Sequence, residues 1–291
     1  MIGTCPITSR ECELQESHIY PKFMWEFLKK TGGDKFRSIE CPTKIIQNGE
    51  KIPLLSKEAE EMFCKHEKWF AERIFIPFCT KKTSISPISY KKELYFFTIS
   101  LLWRRLYTTI DYIIDPHIKD ICKEALEEWR KYLSEGKIPC RFSEIYIMPI
   151  TPDCFNLPPI YEIDSYILRD FDTELFIHDN SNVAYFCKTP RFFFWATIKR
   201  DNTNLNYGIK INPYRGKINL KKYKVGDGYV KGYILSRIKK VSQIYNQTSL
   251  KLSDVQIKKI IKRTVNRTSF QNSELETLLS LKANQQIFND I

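Results

Sequence analysis

The chain lacks an apolar run approaching the ~18 residues that a membrane-spanning helix requires, so no transmembrane helix and no membrane partner are expected. Its first residues, Met1-Ile2-Gly3-Thr4-Cys5-Pro6, have neither the charged nor the apolar region of a signal peptide, and the expected location is the cytoplasm. No C-x-x-C pair occurs among its nine cysteines, an odd number spread from Cys5 to Cys187. That scatter argues against a disulfide framework and predicts buried, reduced thiols acting as small apolar side chains. Histidine is scarce, with four in 291 residues, so His18 and His66 within one N-terminal stretch rich in Cys and Glu call for explanation. No internal repeat is present.

Aromatic residues are abundant, with 19 Phe and 16 Tyr, which favours thick β-containing cores over a simple helical bundle. Charge is abundant too, and unevenly placed. Residues 210–267 carry sixteen Lys and Arg against only Asp227 and Asp254, a surplus larger than the +12 of the whole chain. A basic block of this kind suits a phosphate-rich partner, because each neutralised phosphate releases counterions. The alternatives are a solvated helix face or contact with an acidic protein.

The coarse pattern reads as α+β. Pro21 opens a helix over 22–30, ended by Gly32-Gly33. Asn48-Gly49 marks a tight turn and predicts a hairpin between 44–46 and 51–55. Ser56 caps a helix running to about Phe75. Residues 80–90 read as a linker between a first part at 1–80 and a second at 90–291. Two further helices follow, over 91–114 and from Asp115-Pro116 to Gly136. Short β-branched and aromatic runs at 144–150, 161–168, 174–177, 183–187, 192–198, 207–211 and 217–220 predict an antiparallel sheet. Helices are expected again at 229–245, 253–264 and 273–287.

Several constellations bear on function. Glu60, Cys64 and Glu67 fall at i, i+4 and i+7 and so share one helix face; two carboxylates there suit a divalent ion such as Mg²⁺. The alternatives are an acidic solvent-facing stripe, or Glu67 paired with Lys68 or Arg73. His66 lies off that face and is expected to be exposed. Arg104 suits a phosphate contact or a pair with Glu60 or Glu67, whereas Trp103 reads as core and Arg105 as a snorkelling side chain. The run Phe192-Phe193-Phe194-Trp195 reads as a buried strand more readily than as a stacking platform for bases. Lys239 and Lys240, with Lys258, Lys259, Lys262 and Arg263, lie on helix faces that suit a phosphate backbone.

Five segments in order resemble a group of bacterial HNH-like (His-Me finger, treble-clef) proteins. The segments are Cys5-Pro6-Ile7-Thr8; Leu14 to Phe23 with Ser17-His18-Ile19-Tyr20-Pro21; Gln47 to Lys51; Leu54-Leu55-Ser56 through Ala59, Glu60, Phe63 and Glu67; and Phe97 through Ser100 to Trp103-Arg104. The resemblance implies a small treble-clef module at 1–80, with His18 as general base and Glu60 and Glu67 at the metal positions. It also implies a nucleic-acid partner and a prokaryotic defence or mobile-element setting. The family's four zinc cysteines match Cys5, Thr8, Ser56 and Ala59, so only Cys5 remains as a remnant and a structural zinc is not expected. Two functions follow: a metal-dependent endonuclease, or an inactive HNH-derived scaffold that binds within a bacterial multiprotein complex.

Overall fold

A computed structural model of the chain describes residues 1–32, 36–37, 45–46, 49–80, 87–155, 161–179, 181–201, 205–220, 223–249, 253 and 255. In order, the elements are β1 (Ile2–Thr4), β2 (Glu11–Glu13), β3 (Gln15–His18), α1 (Lys22–Gly32), β4 (Phe36–Arg37), β5 (Ile45–Ile46), β6 (Lys51–Leu55), α2 (Lys57–Phe70), α3 (Ile76–Thr80), β7 (Ile88–Tyr90), α4 (Lys92–Thr109), α5 (Pro116–Glu135), β8 (Ile145–Pro149), α6 (Tyr161–Arg169), β9 (Asp172–Asp179), β10 (Asn182–Thr189), β11 (Phe192–Lys199), β12 (Ile209–Lys210), β13 (Gly216–Ile218) and α7 (Tyr229–Ser249). The fold is mixed α and β, with antiparallel sheets throughout.

Two compact units are built from interleaved segments. The first comprises Met1–Pro21, Glu50–Pro149 and Phe171–Tyr223, so the boundary expected at 80–90 falls inside it. Its five-stranded sheet runs in the order β12-β8-β11-β10-β9. β10 is buried along its whole length and β11 nearly so, which is why both read as unbroken apolar runs rather than alternating ones. Phe192 and Phe194 point to one face, where Phe194 meets Phe97 of α4 edge-on and Phe192 meets Phe70 of α2. Phe186, Phe193 and Trp195 occupy the other face with Phe176 and Tyr207. Each fully buried aromatic ring of this kind contributes about 1.5–3 kcal/mol.

α4 is the spine of this unit. It contains no Gly or Pro, and twelve of its eighteen residues are buried. Phe70 of α2 stacks on its Phe97 at 3.9 Å between centroids, and Tyr95 meets Tyr132 of α5 edge-on. α5 is bounded as its sequence requires. The Asp115 carboxylate accepts the Ile118 amide, Pro116 opens the first turn, and Gly136 closes the helix at φ +75°.

The second unit comprises Lys22–Gly49, Ile150–Asp170 and the segment from Lys224. Arg169 at the end of α6 donates to the Leu28 carbonyl and to Thr31 Oγ1 of α1. Val230, Ile234 and Ile238 form the buried stripe of α7. Gly49 has φ +76°, and a Cβ there would lie 2.4 Å from the Trp25 ring, so only glycine fits.

Four expectations are corrected. Residues 161–168 form helix α6, not a strand; the buried Ile163, Tyr166 and Ile167 sit at helical i, i+3, i+4 spacing. The hairpin expected across Asn48-Gly49 does not form: β6 pairs with β3, and β5 with β4. A turn signal fixes a bend but not the partner strand, and the β3 pairing buries Ser17, Leu54 and Leu55 together. The run at 217–220 leaves the large sheet and pairs through β13 with β7. His66, expected to be exposed, is 8% exposed, because it continues the buried stripe of Ala59, Phe63 and Phe70 on α2. The helices expected at 253–264 and 273–287 lie outside the described residues.

Candidate functional site

The loop between β1 and β2 turns tightly at Cys5. The Cys5 amide donates to the Arg10 carbonyl and its carbonyl accepts from Ser9, whose φ of 55° is left-handed. The Cys5 sulfur is thereby held beside Thr8 and beside Ser56, the N-cap of α2. Burial pushes the thiol pKa up, yet the polar groups of Thr8 and Ser56 beside the sulfur outweigh it and leave the pKa below that of an ordinary thiol. The Ser56 hydroxyl also accepts the Ala59 amide at 3.3 Å. Three of the four positions matched to a zinc knuckle therefore meet around one sulfur, and Ala59 adds only its backbone.

β3 pairs with β6 and α2 packs against both strands, with His18 ending β3 opposite Lys51. Ser17 is fully buried and donates to Glu60 Oε2 at 2.8 Å. Seven residues along α2, Glu67 Oε1 accepts from Arg104 of α4 at 2.6 Å. The same guanidinium donates to the His18 carbonyl at 2.9 Å and to the Ser100 carbonyl at 3.2 Å, and it lies over the Phe63 ring at 5.2 Å. Arg104 is 1% exposed. It is thus a buried hub joining β3, α2 and its own helix, and the phosphate contact expected of it gives way to the alternative pairing with Glu67. Burial raises the Glu67 pKa more than Arg104 lowers it, and Glu60 raises it further.

The remaining expected site residues fall elsewhere. Half-buried His18 is tied to Arg104 through its carbonyl. Glu60 and Glu67 face different partners, and among the described residues no three His, Cys, Asp or Glu side chains are grouped to share an ion. Cys64 is exposed, so it leaves the buried stripe. Lys239 and Lys240 are exposed on α7. Lys258, Lys259, Lys262 and Arg263 lie outside the described residues.

Sequence reading also missed a second cluster one residue along α4. Arg105 does not snorkel: its side chain is 12% exposed, pairs with Glu50 at 3.2 Å and stacks over Tyr20 at 4.8 Å. Tyr20 donates to the Asp172 carbonyl, and the neighbouring Cys187 thiol is pushed up to about 12 by burial, which makes it inert. The signal was the Arg-Arg doublet on an otherwise apolar helix, since a guanidinium drawn into apolar surroundings needs a partner, which Glu67 gives Arg104 and the more exposed Glu50 gives Arg105. Comparison with protein-family models, curated proteins and solved structures gave no match.

Proposed function

We propose that this protein engages nucleic acid through an HNH-derived module that binds rather than cuts. The observation that carries the reading is the buried Arg104–Glu67 pair, closed onto the His18 backbone. A carboxylate so committed is poorly suited to hold a catalytic ion, and Glu60 is engaged by Ser17. The knuckle positions fit the same history: the Cys5 sulfur sits beside polar groups of Thr8 and Ser56, and Thr8, Ser56 and Ala59 do not make a tetrahedral zinc set. Hydrogen bonds would then do the cross-linking that a metal does elsewhere. The basic surplus after residue 210 supplies the attraction for phosphate.

The test combines binding and cleavage. Purified protein should bind DNA or RNA with a steep salt dependence and leave supercoiled plasmid intact with Mg²⁺ or Mn²⁺, and His18→Ala should bind equally. Nicking that disappears in His18→Ala would establish the endonuclease reading instead, which the β3–β6–α2 order and the placement of His18 favour. A flat salt dependence would remove nucleic acid as the partner and leave a protein-binding scaffold.

A further inference from the structure

We propose that the two-stranded ladder of β7 and β13 is a contact surface for single-stranded nucleic acid, with Tyr214 as the stacking platform and Lys91, Arg215 and Lys217 as phosphate contacts. The inference rests on the nucleic-acid reading above and assigns it a surface. The register pairs Gly216 with Tyr90, Lys217 with Ser89 and Ile218 with Ile88. Side chains alternate across such a ladder. Tyr90 and Ile218 accordingly turn inward and are buried, while Ser89, Lys91, Arg215 and Lys217 turn outward and are exposed. Arg215 and Lys217 stand two strand residues apart, about 7 Å, a spacing commensurate with successive phosphates on an extended strand. Lys92, the next residue along, is exposed beside Lys91.

Among the described residues, none of these four cations carries an ion pair. The nearby Glu93 is turned back to accept the Lys91 amide at 2.8 Å. Tyr214 is 69% exposed. Its loop is nonetheless stiff. Asn212 Oδ1 accepts the amides of both Tyr214 and Arg215, the Tyr90 hydroxyl accepts the Asn212 amide at 3.0 Å, and a Cβ on Gly216 would lie 2.4 Å from that hydroxyl. An aromatic ring held out on a hydrogen-bonded loop loses little freedom on binding. A ring face needs an unstacked base, which single strands offer and duplexes hide. An acidic protein would use the cations but not the ring.

Fluorescence anisotropy of a labelled oligothymidylate with the full chain tests this. Tyr214→Ala should weaken binding about tenfold. Arg215→Ala with Lys217→Ala should reduce the slope of log affinity against log salt by about 1.4, roughly 0.7 per lost contact. Lys123→Ala, an exposed lysine on α5, should change neither, and circular dichroism should show every variant folded. If the wild type binds and these variants bind as well as it does, the surface is refuted while the nucleic-acid reading stands. If the wild type binds no nucleic acid, both fall. If polyglutamate displaces the oligonucleotide and Tyr214→Ala has no effect, the surface belongs to an acidic protein and the inference is overturned.

Discussion

Two regions packed on the same helix solve burial in opposite ways. The hairpin and helix at β3, β6 and α2 hold polar groups in two bonded pairs, Ser17 with Glu60 and Arg104 with Glu67, the second of them buried. The five-stranded sheet encloses rings: Phe192, Phe194, Phe193 and Trp195 each meet other aromatics. α4 serves both, through Arg104 and through Phe97. The difference is one of tolerance. Apolar packing degrades by increments as atoms are removed, whereas a buried charge network fails when one member is lost.

The largest expected effect tests that contrast. Arg104→Met should cost about 3–5 kcal/mol in denaturant unfolding, because Glu67 would be left charged and buried without its partner. Arg104→Met with Glu67→Leu should recover most of that loss, since two apolar groups of similar size remove the desolvation cost of both ions. A double variant no more stable than the single one would mean that the pair is worth more than its burial cost.

The pH dependence sharpens the same point. The folded-state pKa of Glu67 is raised, with burial as the leading cause. In the pH range between the unfolded and folded pKa values, the unfolded chain has released the proton and the folded chain still holds it. Stability from this group is therefore full below the unfolded value and falls as pH rises through the folded one. Glu67→Gln should flatten that decline in pH-resolved unfolding, and an unchanged profile would assign the dependence to another group.

Sequence made the boundaries of α5 and the cap of α2 legible, because Asp115-Pro116, Gly136 and Ser56 act locally. The buried character of Phe192–Trp195 was legible for the same reason: four adjacent large apolar residues leave no solvent face. Partner choice was not. Whether β6 meets β5 or β3, and whether Arg104 meets solvent or Glu67, depends on chain segments far apart in sequence. The segment 161–168 was misread because Tyr161, Ile163 and Ile167 fit a period of two, whereas the buried Ile163, Tyr166 and Ile167 share one helix face. Of the candidate site, Cys5, Thr8 and Ser56 were singled out as positions in the sequence, whereas their meeting and the Ser17–Glu60 bond had no sequence signal of their own.

On the sheet side, the expected effect is smaller. Phe194→Leu should cost about 1–2 kcal/mol, since the leucine still fills part of the space between Phe70 and Phe97. No second substitution elsewhere should rescue it in the way Glu67→Leu rescues Arg104→Met. A cost as large as that of Arg104→Met would mean that the aromatic core is as intolerant as the ionic one.

The smallest effect comes from Ser56, which caps α2 and faces the Cys5 sulfur at once. Ser56→Ala should cost about 1 kcal/mol, the worth of an N-cap, and should raise the Cys5 pKa by removing its hydroxyl. Ser56→Asp separates the two roles. Aspartate caps as well as serine and suits the positive end of the helix, so stability should hold. Its carboxylate offers the sulfur no proton and repels a thiolate, so the Cys5 pKa should rise further than in Ser56→Ala. The pH dependence of Cys5 alkylation, followed by mass spectrometry of its own peptide, reads the second role independently of the first. If Ser56→Asp leaves that profile unchanged, the Cys5 thiol is tuned by backbone geometry and Thr8, and the serine is a helix cap alone.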